Sequence, residues 1–479
     1  MTSGSEEPNA ILQIGNDDAL TEPNVRATEI ELYDGLICNS QNCWPSVKFD
    51  IGGINNFLSP LLPAGFYYKT FMWPASFWGK YEYFIRKSAG LGKSPTKQDP
   101  DMYDHRYMHC DILIVGGGVS GLIAAKIASD DNKKVLLLED KELLGGSLIY
   151  DDNDISKIDN QKSSEWLKKL IENIKNDKNI IIKTRTSLAA YHNYNFLLAR
   201  QNLTDHLSVN DRNNKIRQRL YKIRAKKVII STGAIERPQV FHNNDRPGIM
   251  LASAVKKYID YFGVRCGLEN VIFTNNDSAY ETALSLHKSG TKLNAIIDIR
   301  DNSSSEIVNK IKSLGIQIYW NHTVVNTRGY KRINKVTIMK LNDKGNDVIG
   351  KKIELNCDCL AISGGWTPMV HLFTQSGGKL KFDNKDNIFV PDKTNLNQLS
   401  IGSAKGDFEL DDVLKNSIKD TKKFLQIENS NFDKIDVKCS KEKEKKNIWL
   451  LPSDKPLSKT KPFLDYQNDS TAKDIKLAL

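Results

Sequence analysis

The chain has 479 residues, enough for about three domains of ordinary size. Its 40% hydrophobic and 26% charged content is that of a globular protein, and no apolar run approaches the roughly 18 residues that span a bilayer. The net charge of +10 comes from scattered lysines rather than arginines clustered among aromatics, so neither a nucleic-acid partner nor a membrane is expected.

The start, residues 1–8, is polar and acidic and does not read as a signal peptide, so a cytoplasmic chain is expected. Residues 1–108 carry no nucleotide-fold pattern. Strand-like pieces stand at 10–14 and 26–32, followed by Cys43, Trp44 and Pro45, then Pro60, Pro63 and Gly65. Ten aromatic residues follow: Phe66, Tyr67, Tyr68, Phe71, Trp73, Phe77, Trp78, Tyr81, Tyr83 and Phe84. A segment this aromatic needs a surface to cover it, either the following domain or a partner subunit. Residues 90–108 read as an extended linker.

Residues 110–139 hold the densest signal. The apolar run 112–115 reads as a buried parallel strand. Gly116, Gly118 and Gly121 follow in G-x-G-x-x-G spacing, and 119–130 has a helical pattern. A second apolar run, 135–138, ends on Glu139, 18 positions after Gly121. Strand, glycine turn, helix, strand and terminal acid in that order make a dinucleotide site. Gly116 allows the tight turn, and Gly118 lets a pyrophosphate approach the backbone. Gly121 lets helix and strand pack closely. The helix start, with Val119 and Ser120, offers unpaired N–H groups to phosphate. Glu139 can accept from ribose hydroxyls. With an acid there and Lys141 only nearby, a 2′-phosphate is not expected.

Residues 162–176 read as an amphipathic helix with Trp166, Leu167, Leu170, Ile171 and Ile174 on one side. Strands are expected at 180–184, 193–199 and 220–223, with 202–214 as an exposed polar loop. The strand 227–231 runs into Thr232 and Gly233, where a glycine allows backbone to come close to a ligand. A second βα unit covers 246–363. It has a helix at 251–262, a strand at 271–274, the turn 275–279, a helix to Lys288 and a strand at 295–299 carrying Asp298. A helix at 304–314 and a strand at 316–320 complete it. This unit lacks the glycines. Asn275, Asn276 and Asp277 tolerate left-handed backbone, so the turn is feasible, but Asp277 would repel phosphate. A degenerate, ligand-free domain is expected.

The chain then returns to the first unit through the strand 359–363, the turn Gly402, Ser403, Ala404 and a helix at 410–425. Outer domain 109–245 and 360–430 is therefore discontinuous around the insert 246–359. Residues 440–446 read as a solvated charged linker. Residues 431–479 are expected to be a linker and the start of a truncated carboxyl-terminal domain. Seven cysteines include no C-x-x-C pair. Cys357 and Cys359, two apart on an apparent strand, should point the same way, and all seven are expected as reduced thiols. His105, His109, His242 and His371 are catalytic candidates by type, but none stands in a constellation. No catalytic residue and no metal site is assigned.

The pattern resembles the thioredoxin reductase-like, two-dinucleotide-domain oxidoreductases: an α/β Rossmann architecture with a discontinuous outer domain, an inserted degenerate Rossmann-like domain and an amino-terminal docking segment. In such proteins a Gly-Gly turn after the acid meets the same ligand, which puts Asp140, Gly146 and Ser147 beside it. They also end with Gly-Asp, whose acid binds the flavin ribityl chain. Here Gly402, Ser403 and Ala404 stand at that turn and Asp407 is only nearby, which favours NAD over FAD. The missing thiol pair argues against disulfide relay. Strings at 4–9, 23–28, 40–46, 63–74 and 244–250 are similar to the alpha subunit of heterotetrameric sarcosine oxidase. That resemblance runs along the whole chain and implies NAD in this chain. It implies FAD, FMN and tetrahydrofolate in the complete complex, with beta, gamma and delta subunits as partners. The chain would be truncated at both ends and lack the folate-binding, aminomethyltransferase-like domain. A related amine, opine or proline dehydrogenase subunit, or a stand-alone FAD/NAD(P) reductase, is the alternative.

Overall fold

The computed structural model describes residues 11–16, 18–41, 43–54, 73–151, 155–466 and 470–479. Ala10, Pro60, Pro63, Gly65 and the aromatic residues Phe66, Tyr67, Tyr68 and Phe71 lie outside the described residues. Two compact units share the chain. The first comprises Met1–Tyr103, Leu203–Gln218 and Asp465–Asp469; the second comprises Asp104–Asn202, Arg219–Leu464 and Ser470–Leu479.

In the first unit, strand Ile11–Ile14 pairs antiparallel with Glu22–Arg26 and with Cys38–Ser40. Helix Trp78–Ser88 buries none of its residues. Trp73 is 84% exposed, and Phe77, Trp78, Tyr83 and Phe84 are exposed too. Core packing therefore does not account for these aromatics. The polar stretch expected as an exposed loop is instead tied down. Arg217 donates to Asp205 at 2.7 Å and to Asp101 at 2.7 Å, and pairs with Glu22. Arg212 and Thr204 are buried. Charge pairing, which a polarity pattern does not reveal, holds this stretch in the unit.

The second unit contains two sheets built on parallel strands. In the first, Val135–Leu138 lies between Met102–Val115 and Ile180–Lys183, parallel to both. The order continues through Ile216–Ile230, Phe196–Asn202 and Thr186–His192, with Gln398–Ser400 paired parallel to Ile216–Ile230. Alternation along the buried strands splits their side chains between two layers. Ile112, Ile114 and Leu137 pack with residues of helices Val119–Asp130, Ser163–Lys175 and Leu410–Leu425. Leu113, Val115, Leu136 and Leu138 pack with Tyr191, Leu197 and Tyr221 from the longer strands. Each such aliphatic side chain, fully buried, stabilises by about 1.5–3 kcal/mol.

The second sheet runs Ile249–Leu251, Cys359–Ser363, Glu269–Thr274, Lys292–Asp298, Ile318–Trp320, each neighbouring pair parallel. Helices Ala252–Asp260, Ser278–Lys288 and Glu306–Ser313 cover one side. The meander His322–Gly329, Ile333–Leu341, Val348–Asn356 covers the other. Cys357 packs with the meander side and Cys359 with the helix side, so the two do not point the same way. The period-two rule fails because strand Cys359–Ser363 begins after Cys357. All seven cysteines are free, and burial pushes the Cys357 thiol up to about 12.

Candidate functional site: two strand–turn–helix junctions

The first junction lies where strand Met102–Val115 enters helix Val119–Asp130. Three residues make the turn. Gly116 has φ of +105°, and a Cβ there would strike the carbonyl oxygen of Ser231. A Cβ on Gly121 would strike the oxygen of Gly116. These two glycines are therefore required by sterics alone. Gly118 differs: its φ is −68°, ordinary for any residue, and a Cβ would meet nothing within 4 Å. The open space beside Gly118, at the helix start, is the cradle a phosphate group fits.

Four further segments converge on this turn. Glu139 is buried; its Oε2 accepts from Gly117 N at 2.6 Å and its Oε1 from Lys141 N at 3.0 Å. Burial pushes its carboxyl up to about 8, and the adjacent Asp140 adds to this. Asp140 itself is exposed, 3.1 Å from the Lys141 ammonium. Gly145 N donates to Gly117 O at 2.7 Å, laying the Gly145–Gly146 turn against the first one, with Gly146 and Ser147 exposed. Ser231 N donates to Val115 O at 2.8 Å, and its hydroxyl donates to Gly116 O at 2.8 Å. Thr232 and Gly233 follow directly, half-buried. Gly402, with φ of +60°, backs onto the Ser120 side chain, where a Cβ would collide. Ser403 is half-buried beside it, whereas the Ala404 side chain is fully buried. Asp407 accepts from Asn416 at 2.9 Å. The structure thus lays Glu139, the Gly145–Gly146 turn, Ser231 and Gly402 against the glycine turn at the carboxyl end of strand Met102–Val115. Sequence reasoning missed Gly117, Ser231 and Leu144, whose side chain lies where a Cβ on Gly117 would strike it. The signal for Ser231 was its place directly after a buried strand.

The second junction has the same length. Strand Glu269–Thr274 is followed by Asn275, Asn276 and Asp277, then helix Ser278–Lys288. Among the described residues, none of the three turn positions has a positive φ, so the turn forms without the left-handed backbone expected for it. Asn276 Oδ1 accepts from Ser278 N at 3.1 Å, and Asn276 Nδ2 donates to Ser363 Oγ at 2.9 Å. Asp277 holds the place of Gly118. The Arg300 guanidinium, 2% exposed, lies 2.7 Å from the Asp277 carboxylate and 2.7 Å from that of Asp298. Tyr280, at the place of Gly121, donates to Asp298 at 2.8 Å. Burial pushes the Asp298 carboxyl up, and Arg300 opposes this.

The expected solvated linker is packed on this second junction. Glu442 Oε1 accepts from Asp277 N at 3.0 Å and lies 3.1 Å from Arg300. Of the candidate histidines, His242 is buried and accepts from Lys461 N at 3.0 Å, a packing role.

Two sheets built on parallel strands, each with a strand–turn–helix junction and only one with glycines in the turn, define a two-dinucleotide-domain oxidoreductase. The family model of pyridine nucleotide-disulphide oxidoreductases matches residues 110–409, and the chain belongs to that family, whose members bind flavin and nucleotide. Sarcosine oxidase subunit alpha of Rhizobium meliloti (strain 1021) is 34% identical over 484 residues, covering 100% of this chain and 47% of that protein. The subunit of the same name from Corynebacterium sp. (strain P-1) is 34% identical over 400 residues, covering 81% of this chain and 40% of its own length. The chain spans about half the length of the curated relatives it matches. Among solved structures, L-proline dehydrogenase from P. horikoshii has a TM-score of 0.50 at 19% identity, over 70% of this chain and 58% of that one, a likeness of fold. The resemblance read from the sequence holds over the whole chain. No helix among the described residues is long and apolar enough to cross a membrane.

Proposed function

We propose that this chain is the NAD-holding part of a sarcosine oxidase alpha subunit. The observation that carries the dinucleotide site is the open space beside Gly118, set between a helix start and the Glu139 carboxylate. Gly116, Gly118, Val119, Ser120 and Gly121 would hold the pyrophosphate, and Glu139 the ribose, with Asp140 at its edge. Gly146, Ser147, Thr232, Gly233, Gly402, Ser403 and the backbone of Ala404 would line the remainder. NAD is favoured over FAD because the turn Gly402, Ser403, Ala404 carries no acid where related flavoproteins have one, and the nearby Asp407 is engaged by Asn416. On this reading, the nucleotide-binding domain is the expected 109–245 and 360–430 around the insert 246–359, corrected at one boundary: strand Cys359–Ser363 pairs within the second sheet, so the chain returns to this domain after Ser363.

A bound NAD would supply either a hydride acceptor or a fixed structural ligand, and the second role is proposed. This chain's own residues bind and orient the dinucleotide and keep its ribose on a buried acid. The complete enzyme would oxidise sarcosine to glycine with dioxygen, giving hydrogen peroxide. The methyl carbon would pass to tetrahydrofolate as methylenetetrahydrofolate, or leave as formaldehyde. FAD, FMN and folate would act elsewhere in the complex with beta, gamma and delta subunits. The exposed aromatic face of helix Trp78–Ser88 supports a docking role for the amino-terminal segment. An absorption spectrum of the purified chain tests the assignment. NAD leaves the blue–violet region empty, and a yellow chain would sink it. Reduction of labelled nicotinamide during turnover with sarcosine would refute the static role.

A further inference from the structure

A Rossmann-type unit takes a nucleotide at two places: phosphate at the start of the helix after its first strand, and ribose at the end of its second strand. In the second sheet both places are already occupied by the chain itself. At the helix start, the N–H of Asp277 donates to the Glu442 carboxylate at 3.0 Å. At the strand end, Arg300 donates to the same carboxylate oxygen at 3.1 Å and to the Glu444 carbonyl at 3.0 Å. The segment also reaches the start of the next helix, where Ile307 N donates to Ser440 Oγ at 3.2 Å. Asn275 donates to the Lys446 carbonyl at 3.2 Å. The Glu442 side chain is 12% exposed. A backbone N–H at a helix start together with an arginine is a donor set suited to a phosphate oxygen, and here it meets a carboxylate.

The flanking lysines hold the segment in place. Lys441 lies 2.9 Å from Asp411 and Lys445 lies 2.6 Å from Asp386. Within 441–445 it is Glu442 whose carboxylate turns inward, whereas the Glu444 side chain is exposed and contributes its carbonyl, and Lys445 stays beside Asp386.

We propose that residues 440–447 are a built-in occupant of the second unit's nucleotide crevice, with the Glu442 carboxylate standing in for a phosphate group and Arg300 clamped on it. The segment is a strap that keeps this unit closed to nucleotides whichever dinucleotide the first unit holds.

The test counts ADP-binding equivalents on the full chain by calorimetry, comparing wild type with Glu442→Ala and with a chain whose residues 441–446 are replaced by Gly and Ser at equal length. Opened chains gain one ADP equivalent, bound at least about tenfold more tightly than wild type binds any ADP beyond the first unit's, and inorganic phosphate competes for it. The difference in count carries the test, so a failure of the first-unit assignment leaves it intact. Folded opened variants that gain no equivalent overturn the proposal. A second measurement uses wild type alone: hydrogen exchange across 275–280 stays unchanged as ADP is added. Protection of that peptide by ADP in the unaltered chain overturns the proposal equally.

Discussion

The two junctions share a skeleton and differ in what fills it. Each joins a parallel strand to a helix through three residues. In the first, glycines leave space at Gly118 and a buried acid accepts from the turn's own Gly117 N–H. In the second, Asp277 stands at the corresponding position, Tyr280 replaces the close-packing Gly121, and Arg300 binds the three acids Asp277, Asp298 and Glu442. A Rossmann turn therefore does not need glycine to fold. In the first junction glycine lets the helix approach closely at Gly121 and leaves open space at Gly118. Where that room is filled, side-chain hydrogen bonds and charge pairs take the place of ligand contacts.

The comparison breaks first at Arg300. Arg300→Met leaves Asp277, Asp298 and Glu442 buried without their cation, and removing one partner of a buried ion pair costs about 3–5 kcal/mol. Chemical denaturation should show that loss; a change below about 1 kcal/mol would mean the second junction is not held by charge. Gly121→Ala is next. Its Cβ meets the Gly116 oxygen, so a destabilisation of about 1–3 kcal/mol is expected, read as a lowered Tm together with lost dinucleotide binding.

Gly118→Ala sharpens the contrast, because its backbone is unstrained and its Cβ meets no protein atom. Stability should change by no more than about 0.5 kcal/mol. Dinucleotide affinity should fall about tenfold or more, since the methyl takes the space of the ligand. Equal affinity in titration calorimetry would move the site away from this turn.

The smallest effect concerns pH. Burial raises the Glu139 carboxyl from 4.5 to about 8. The folded state then holds a proton that the unfolded state releases. Glu139's contribution to stability is full below pH 4.5 and is lost as pH rises towards about 8. Dinucleotide binding has the opposite sign, because ribose hydroxyls donate to the carboxylate. Affinity should rise by up to about tenfold per pH unit below that pKa and level off above it. Glu139→Gln should remove the rise in affinity and flatten part of the stability slope. Glu442, raised to about 8 by burial, and Glu236 and Glu281, raised to about 7, add slopes of the same sign that remain in this variant. A pH-independent wild-type affinity between pH 6 and 8 would count against Glu139 as the ribose acceptor.

Most of the first junction was legible because its physics is local. Gly116, Gly118 and Gly121 act within one turn, and Glu139 closes the adjacent strand. The second junction was only half legible. The absence of glycines and the presence of Asp277 could be read, but the partner of Asp277 could not. Residues 440–446 looked solvated because a run of Lys and Glu has the same composition whether it lies in water or across an arginine far away in the chain. The stretch 202–214 misled for the same reason: Arg212 is buried, and Arg217 just beyond it is half-buried, each beside Asp101 far back in the chain.

The sequence alone determined the strand–turn–helix order, the glycine turn at 116–121, the acid at Glu139 and the family resemblance. These follow from short-range sterics and periodicity, which neighbouring residues carry among themselves. Only the tertiary structure decided that Ser231, Gly145 and Gly402 press on that turn, and that Cys357 and Cys359 pack on opposite sides of a sheet. It also decided that Glu442 sits on the second junction. Each of these depends on which distant segments meet, and long-range pairing of buried charge and backbone leaves no local pattern in the chain.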